Sequence, residues 1–241
     1  MCRHVAYLGP TVGLDDLLFR APHSLARQAC APQRQHSGDT NPDGWGVAWY
    51  PGVGQLPSRY RTVTPIWDDH DFAKHAAELR GNAFVAAARL ASPGAEIDER
   101  GNAPFVEGRW AFSLNGIVHG FTEGVGDELR DQLDARRREA IEGDADTEVL
   151  FALVLQCIDA GTPPSDALAA VVLDVLAHTT GRLNLLLTNG SIVYATRVGN
   201  SLFHRGPVIV SEPTDDESDW REIPDHSLTV LTQHGATTTP L

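Results

Sequence analysis

Met1-Cys2-Arg3-His4-Val5-Ala6-Tyr7-Leu8-Gly9 opens the chain and places a cysteine one residue behind the methionine. Removal of Met1, which the small side chain at position 2 favours, leaves Cys2 with a free α-amino group beside its own thiol. Such an amine titrates at about 7.7–8, so at neutral pH a usable fraction is unprotonated. It takes the thiol proton, directly or through one water, and returns it to a leaving amine. A nucleophile built this way needs no separate catalytic histidine. Arg3 to Leu8 alternate loosely and are β-prone, and Gly9-Pro10 ends them. A strand that begins at the nucleophile holds it on a rigid element. The competing reading is an accidental cysteine at the N-terminus, and the rest of the chain decides between the two.

Working outward, the chain has 241 residues, 42% hydrophobic and 21% charged, enough for one large domain or two small ones. A net charge of −13 argues against nucleic acid or an anionic membrane as partner. The basic run Arg136-Arg137-Arg138 is short and sits among acids. Asp15 and Asp16 interrupt any signal-peptide core, and no stretch approaches the roughly 20 apolar residues of a membrane span, so the protein reads as cytoplasmic. Cys2, Cys30 and Cys157 form no CxxC pair, which fits a reducing compartment without disulfides or a zinc site. Neither a metal nor a cofactor is expected. Cys157 lies in an apolar run and reads as a buried small hydrophobe.

In chain order, residues 14–30 read as helix broken by Pro22, and 31–44 as a polar loop. Asp43-Gly44-Trp45-Gly46 leads into strand 47–50. Its two glycines imply close backbone packing or φ > 0 positions, or a plain turn into a hairpin. A strand near 59–64 and a helix near 69–80 follow. Phe84 to Ser92 is a strand of small residues in which Arg89 has to emerge at the strand end. It meets either an anionic ligand or an internal acid. After a loop over 93–108, the strand 110–114 runs into Asn115-Gly116. That pair reads as a hairpin turn, or as an amide and an N–H projecting together as an oxyanion hole. Residues 126–140 read as an exposed helix. Asp144 or Asp146 caps the apolar helix 147–160, and 166–178 is a further helix. Strands 183–188, 191–196, 201–204, 208–211 and 227–232 close the chain, the first two joined at Asn189-Gly190. The tail from Gly235 is expected to fray.

Cys2, Arg89-Leu90-Ala91-Ser92, Asn115-Gly116 and Asp146-Thr147-Glu148, in that order, resemble the glutaminase domain of class II glutamine amidotransferases, a group of N-terminal-nucleophile hydrolases. The resemblance implies an α+β fold, a four-layer αββα sandwich, here as one domain over residues 2–241. It also implies roles: Cys2 attacks a γ-glutamyl amide, Asn115 and Gly116 hold the oxyanion, Arg89 binds the α-carboxylate, Asp146 binds the α-ammonium, and Ser92 is a further substrate contact. Within the group, Met1 to Gly9 and Asp43 to Tyr50 look most like the amidohydrolases of ergothioneine biosynthesis. That branch implies a small-molecule substrate, γ-glutamyl hercynylcysteine sulfoxide. Its trimethylammonium calls for aromatic faces or carboxylates, and Tyr7 and Trp45 are the candidates for that wall. The alternatives are a glutaminase subunit feeding ammonia to a separate synthase, and an inactive binding module on the same scaffold.

Overall fold

Alternation along the strands assigns each side chain to one of three interiors. The computed structural model describes residues 2–35, 38–92 and 95–241. Its elements are β1 (Arg3–Gly13), α1 (Leu25–Cys30), β2 (Trp45–Tyr50), β3 (Ser58–Thr62), α2 (His70–His75), β4 (Arg80–Ala88), β5 (Phe105–Glu107) and β6 (Trp110–Val118). Then come α3 (Val125–Asp131), α4 (Ala135–Glu139), α5 (Asp146–Asp159), α6 (Pro164–His178), β7 (Gly181–Thr188), β8 (Val193–Arg197), β9 (Phe203–Arg205), β10 (Val208–Val210), β11 (Arg221–Glu222), β12 (Ser227–Thr232) and β13 (Gly235–Pro240).

The strands form two antiparallel sheets, ordered β11-β9-β10-β1-β4-β2-β3 and β13-β12-β8-β7-β6-β5. Val5 and Tyr7 of β1, Trp45 and Val47 of β2, and Phe84 and Ala86 of β4 pack outward against residues of α1 and α2. Phe112 and Leu114 of β6 and Leu183, Leu185 and Leu187 of β7 pack outward against α5 and α6. Ala6, Leu8, Ala48, Tyr50, Ala83 and Val85 meet Ala111, Leu186, Val193 and Ala195 between the sheets. The layer order is therefore helix, sheet, sheet, helix. Alanines at positions 6, 48, 83, 111 and 195 let the sheets approach within that layer. Towards the β1 N-terminus that layer turns polar: His4, Ser113, Asn115, Asn184, Asn200 and Ser211 are all buried there.

Several sequence expectations are revised. β1 continues through Gly9-Pro10, accommodated by a register shift between Leu8 and Val12. The helix expected over 69–80 is only α2, and the one over 126–140 splits into α3 and α4, with Asp134 capping α4 through the Arg137 N–H. Cys157 is half-buried rather than buried. The tail does not fray: β13 pairs with β12 from Gly235 to Pro240, and Thr229 and Thr238 share a hydroxyl hydrogen bond. The β-branched run Thr237-Thr238-Thr239 suits such an edge strand.

The Asn115-Gly116 hairpin is also overturned, because β6 runs straight through the pair to Val118. Asn115 lies opposite Asn184 and Gly116 opposite Leu183. A Cβ on Gly116 would sit 1.7 Å from the Arg182 carbonyl oxygen, so the glycine serves strand approach. By contrast, Asn189-Gly190 does turn the chain between β7 and β8, with Gly190 at φ 82° and Asn189 Oδ1 accepting from the Ser191 and Ile192 N–H groups.

Candidate active site

The register of the central strands brings the N-terminus to Arg89. In β1–β4 pairing Arg3 lies opposite Ala88, so the next step outward places Cys2 opposite Arg89. Cys2 is half-buried, and its Sγ lies 3.9 Å from the Leu90 carbonyl oxygen. Segment 89–91 is pinned by the two residues that precede β2: Arg89 N–H donates to Gly44 O (2.9 Å), Asp43 N–H to Arg89 O (3.1 Å), and Ala91 N–H to the Asp43 carboxylate (2.8 Å). Both readings of the glycines around Trp45 apply, one to each. Gly44 has φ 106°, while a Cβ on Gly46 would meet the Ala103 carbonyl at 2.7 Å.

The Arg89 guanidinium donates through Nη2 to Glu96 O (3.2 Å) and packs against Gly101, where a Cβ would lie 2.7 Å from Nη1. Nη1 is buried and has no hydrogen-bond partner among the described residues. Across from it stands Asp146 in the first turn of α5. Its carboxylate accepts from the Val118 N–H (3.1 Å) and the Thr147 N–H (2.7 Å). Burial pushes the Asp146 carboxyl above its ordinary range, opposed by those N–H groups, the Thr147 hydroxyl and the charge of Arg89. A cation arriving beside Asp146 favours its charged form. The pair presents a positive and a negative group without closing into an ion pair. An unsubstituted amino-acid head has the complementary charges.

Gly116 contributes an N–H on the same side as Asp146. His119 N–H bonds to Thr180 O, towards β7, whereas Val118 N–H bonds to Asp146, away from it. In an antiparallel strand the N–H groups alternate in this way, so Gly116 N–H points with that of Val118. β5 stops opposite Phe112, which leaves this edge of β6 open at Gly116. Asn115 is fully buried beside it. Its amide Nδ2 donates to Ser211 Oγ (3.1 Å), and its backbone and side-chain oxygens accept from Asn200 Nδ2 (2.9 and 3.3 Å).

Beneath Cys2 the chain is locked. Arg3, wholly buried, pairs with Glu212 (2.9 Å), whose carboxylate also accepts from the Gln33 and Arg34 N–H groups (2.9 Å each). Burial lowers the Arg3 pKa from its ordinary value, with Glu212 opposing. His4 is pushed down to about 3 by burial, with Arg3 adding to the effect, so it is neutral at physiological pH. Its Nδ1 lies 3.0 Å from Ser113 Oγ.

Two proposed wall residues are corrected. Tyr7 and Trp45 point away from the thiol, to the helix-facing side of the sheet. Tyr7 differs in parity from Cys2, and Trp45 shares a row with Arg3 through Ala88. Tyr7 stacks on Phe84 (5.4 Å between centroids) and donates to Pro10 O. Trp45 packs on Phe72 and Tyr60 and donates to Asp69. Ser92 is exposed, and its backbone oxygen accepts from the Ala95 N–H; positions 93–94, which follow it, lie outside the described residues, as does Met1. Ser211, Asn200, Glu212 and Asp43 escaped the sequence reading. The run Ser211-Glu212-Pro213 reads only as the end of a strand.

Comparisons with known proteins show the family. The family model for class II glutamine amidotransferases matches residues 23–205. Over its full length the chain is 36% identical to a γ-glutamyl-hercynylcysteine sulfoxide hydrolase of Mycolicibacterium smegmatis, covering 100% of that protein. It is 35% identical to the Mycobacterium tuberculosis protein of the same name, covering 97% of it. Among solved structures, a glutamine aminotransferase class-II domain protein from Silicibacter pomeroyi superposes with a TM-score of 0.72 at 26% identity, over 99% of each chain.

Proposed function

Because the chain belongs to the class II glutamine amidotransferases, we propose that it hydrolyses the γ-glutamyl amide of γ-glutamyl hercynylcysteine sulfoxide, acting as one domain over residues 2–241. Full-length similarity to hydrolases of that name supports the substrate. The observation that carries the chemistry is the register that sets Cys2 beside Arg89, with Asp146 across from it.

The Cys2 sulfur adds to the amide carbon, and its proton passes to the α-amine freed by loss of Met1. The resulting oxyanion is met by Asn115 Nδ2 and Gly116 N–H. Collapse breaks the C–N bond as the α-amine returns the proton to the leaving nitrogen, and a thioester remains. Water adds to the thioester through a second oxyanion in the same hole. Glutamate leaves and the thiol is regenerated. Arg89 pairs with the α-carboxylate through two parallel N–H bonds, and Asp146 holds the α-ammonium.

The test is released glutamate from γ-glutamyl hercynylcysteine sulfoxide and from glutamine, side by side. A preference for the former of more than tenfold in kcat/KM is expected, equal to more than about 1.4 kcal/mol of transition-state binding. Equal cleavage removes the substrate assignment and leaves a γ-glutamyl amidase.

The head clamp is tested separately. Arg89→Lys is expected to lose about ten- to a hundredfold in kcat/KM, since an ammonium makes no paired bonds with a carboxylate. Substrate without its α-amine is expected to react poorly with wild type, yet to lose little further in Asp146→Ala. Additive losses would make Asp146 a structural partner of Val118 only.

A further inference from the structure

Ser211 stands at the end of β10, 207 residues from His4 in sequence, and its hydroxyl is fully used. It accepts from His4 N–H (3.0 Å) and from Asn115 Nδ2 (3.1 Å), and it donates to His4 O (3.2 Å). A hydroxyl has one proton to give and two lone pairs, so this set is complete. The ordinary ladder acceptor for His4 N–H is the Ser211 carbonyl, but that oxygen receives the Ser201 hydroxyl instead (2.9 Å). The side chain has therefore taken the place of the backbone in the last rung beneath the nucleophile. The same hydroxyl takes one of the two Asn115 amide hydrogens, leaving the other to point elsewhere. Asn200 meets Asn115 from the opposite side, so the amide cannot flip without losing bonds at both ends.

We infer that Ser211 is a positioning residue: one buried hydroxyl fixes the amide that receives the oxyanion relative to the strand that carries Cys2. This rests on the proposed role of Asn115. Its physical basis is geometric: an oxyanion donor acts only at the position where charge develops, and displacement by about 1 Å can lower turnover on the order of a hundredfold. Ser211 does not touch substrate. It acts through Asn115, sitting one residue in from Cys2 on the inter-sheet face.

The experiment uses the full chain with γ-glutamyl hercynylcysteine sulfoxide. Ser211→Ala is compared with wild type, Asn115→Ala and the double variant. The Ser211 N–H to His4 O ladder bond (3.0 Å) survives the substitution, so the variant keeps its place in the sheet. The expected result is a kcat reduced about ten- to a hundredfold with KM within about twofold, and almost no further loss when Ser211→Ala is added to Asn115→Ala. Ser211→Cys keeps the side-chain volume with weak hydrogen bonding and is expected to show the same kcat loss, so it carries the test if the alanine variant does not fold. An unchanged kcat overturns the inference. So does a KM that rises in step with the fall in kcat, or a loss of equal size in the Asn115→Ala background. Wild-type turnover and the Asn115→Ala rate separate these outcomes from failure of the substrate or oxyanion assignment. If Asn115→Ala alone leaves kcat intact, the oxyanion role falls and the inference falls with it.

Discussion

Cys2→Ala is expected to reduce hydrolysis to background, a loss on the order of 10⁴-fold or more, in a protein that remains folded. The thiol is half-buried and its Sγ lies a long 3.9 Å from Leu90 O, so its removal changes stability by about 1 kcal/mol or less. Thermal melting and glutamate release on the same preparation check both halves. Cys30 is exposed at the end of α1 and Cys157 half-buried near the end of α5, and neither is at a chain start that could supply a neighbouring α-amine, so their alanine variants are expected to keep full kcat. The α-amine half of the assignment is testable without touching Cys2. A chain carrying a removable N-terminal extension is expected to be inactive, and proteolysis that exposes Cys2 is expected to restore turnover. Full activity with the extension in place would remove the self-activating mechanism, and a folded Cys2→Ala protein that still turns over would remove the nucleophile.

Asn115→Ala is expected to lower kcat by about 10²–10³-fold and to leave KM nearly unchanged. The ground-state amide needs little from the hole, and the full negative charge appears only once sulfur has added. The structure gives this variant a second effect. Ser211 Oγ and Asn200 Nδ2 lose a common partner inside the sandwich, so stability falls by about 1–3 kcal/mol as well. The kinetic and thermal losses are separable, because turnover measured well below the melting transition reports the chemistry alone. A destabilised protein with wild-type kcat would return Asn115 to a purely structural role.

How much of this was legible in the sequence varied with the range of the interactions involved. Arg89 at a strand end followed from local reasoning, since a run of small residues has no room for a guanidinium, and β4 does stop at Ala88. The thiol-to-arginine juxtaposition needed the register of β1 with β4, which no local pattern carries. Asn115-Gly116 shows the opposite failure. Its turn signal is strong and local, but pairing with Asn184 and Leu183 on β7 overrode it. Tyr7 and Trp45 were assigned to the site by nearness in sequence. Period-two parity sets Tyr7 opposite Cys2, and pairing through Ala88 sets Trp45 in the row of Arg3. Ser211 and Asn200 were invisible because a serine after a short strand and an asparagine in a turn look ordinary until the sheets stack.

The neighbours of β1 also fix a timetable. One flank is supplied by β4 and the other by β10, at residues 208–210. β1 is thus completed only when residues 208–210, some two hundred positions later, have left the ribosome, roughly tens of seconds at about 5–20 residues per second. Through that interval β1 is held on one side at most, by β4. Ser211 and Glu212, whose side chains close over His4 and Arg3, are late arrivals, so the support beneath Cys2 is assembled from the two ends of the translation interval.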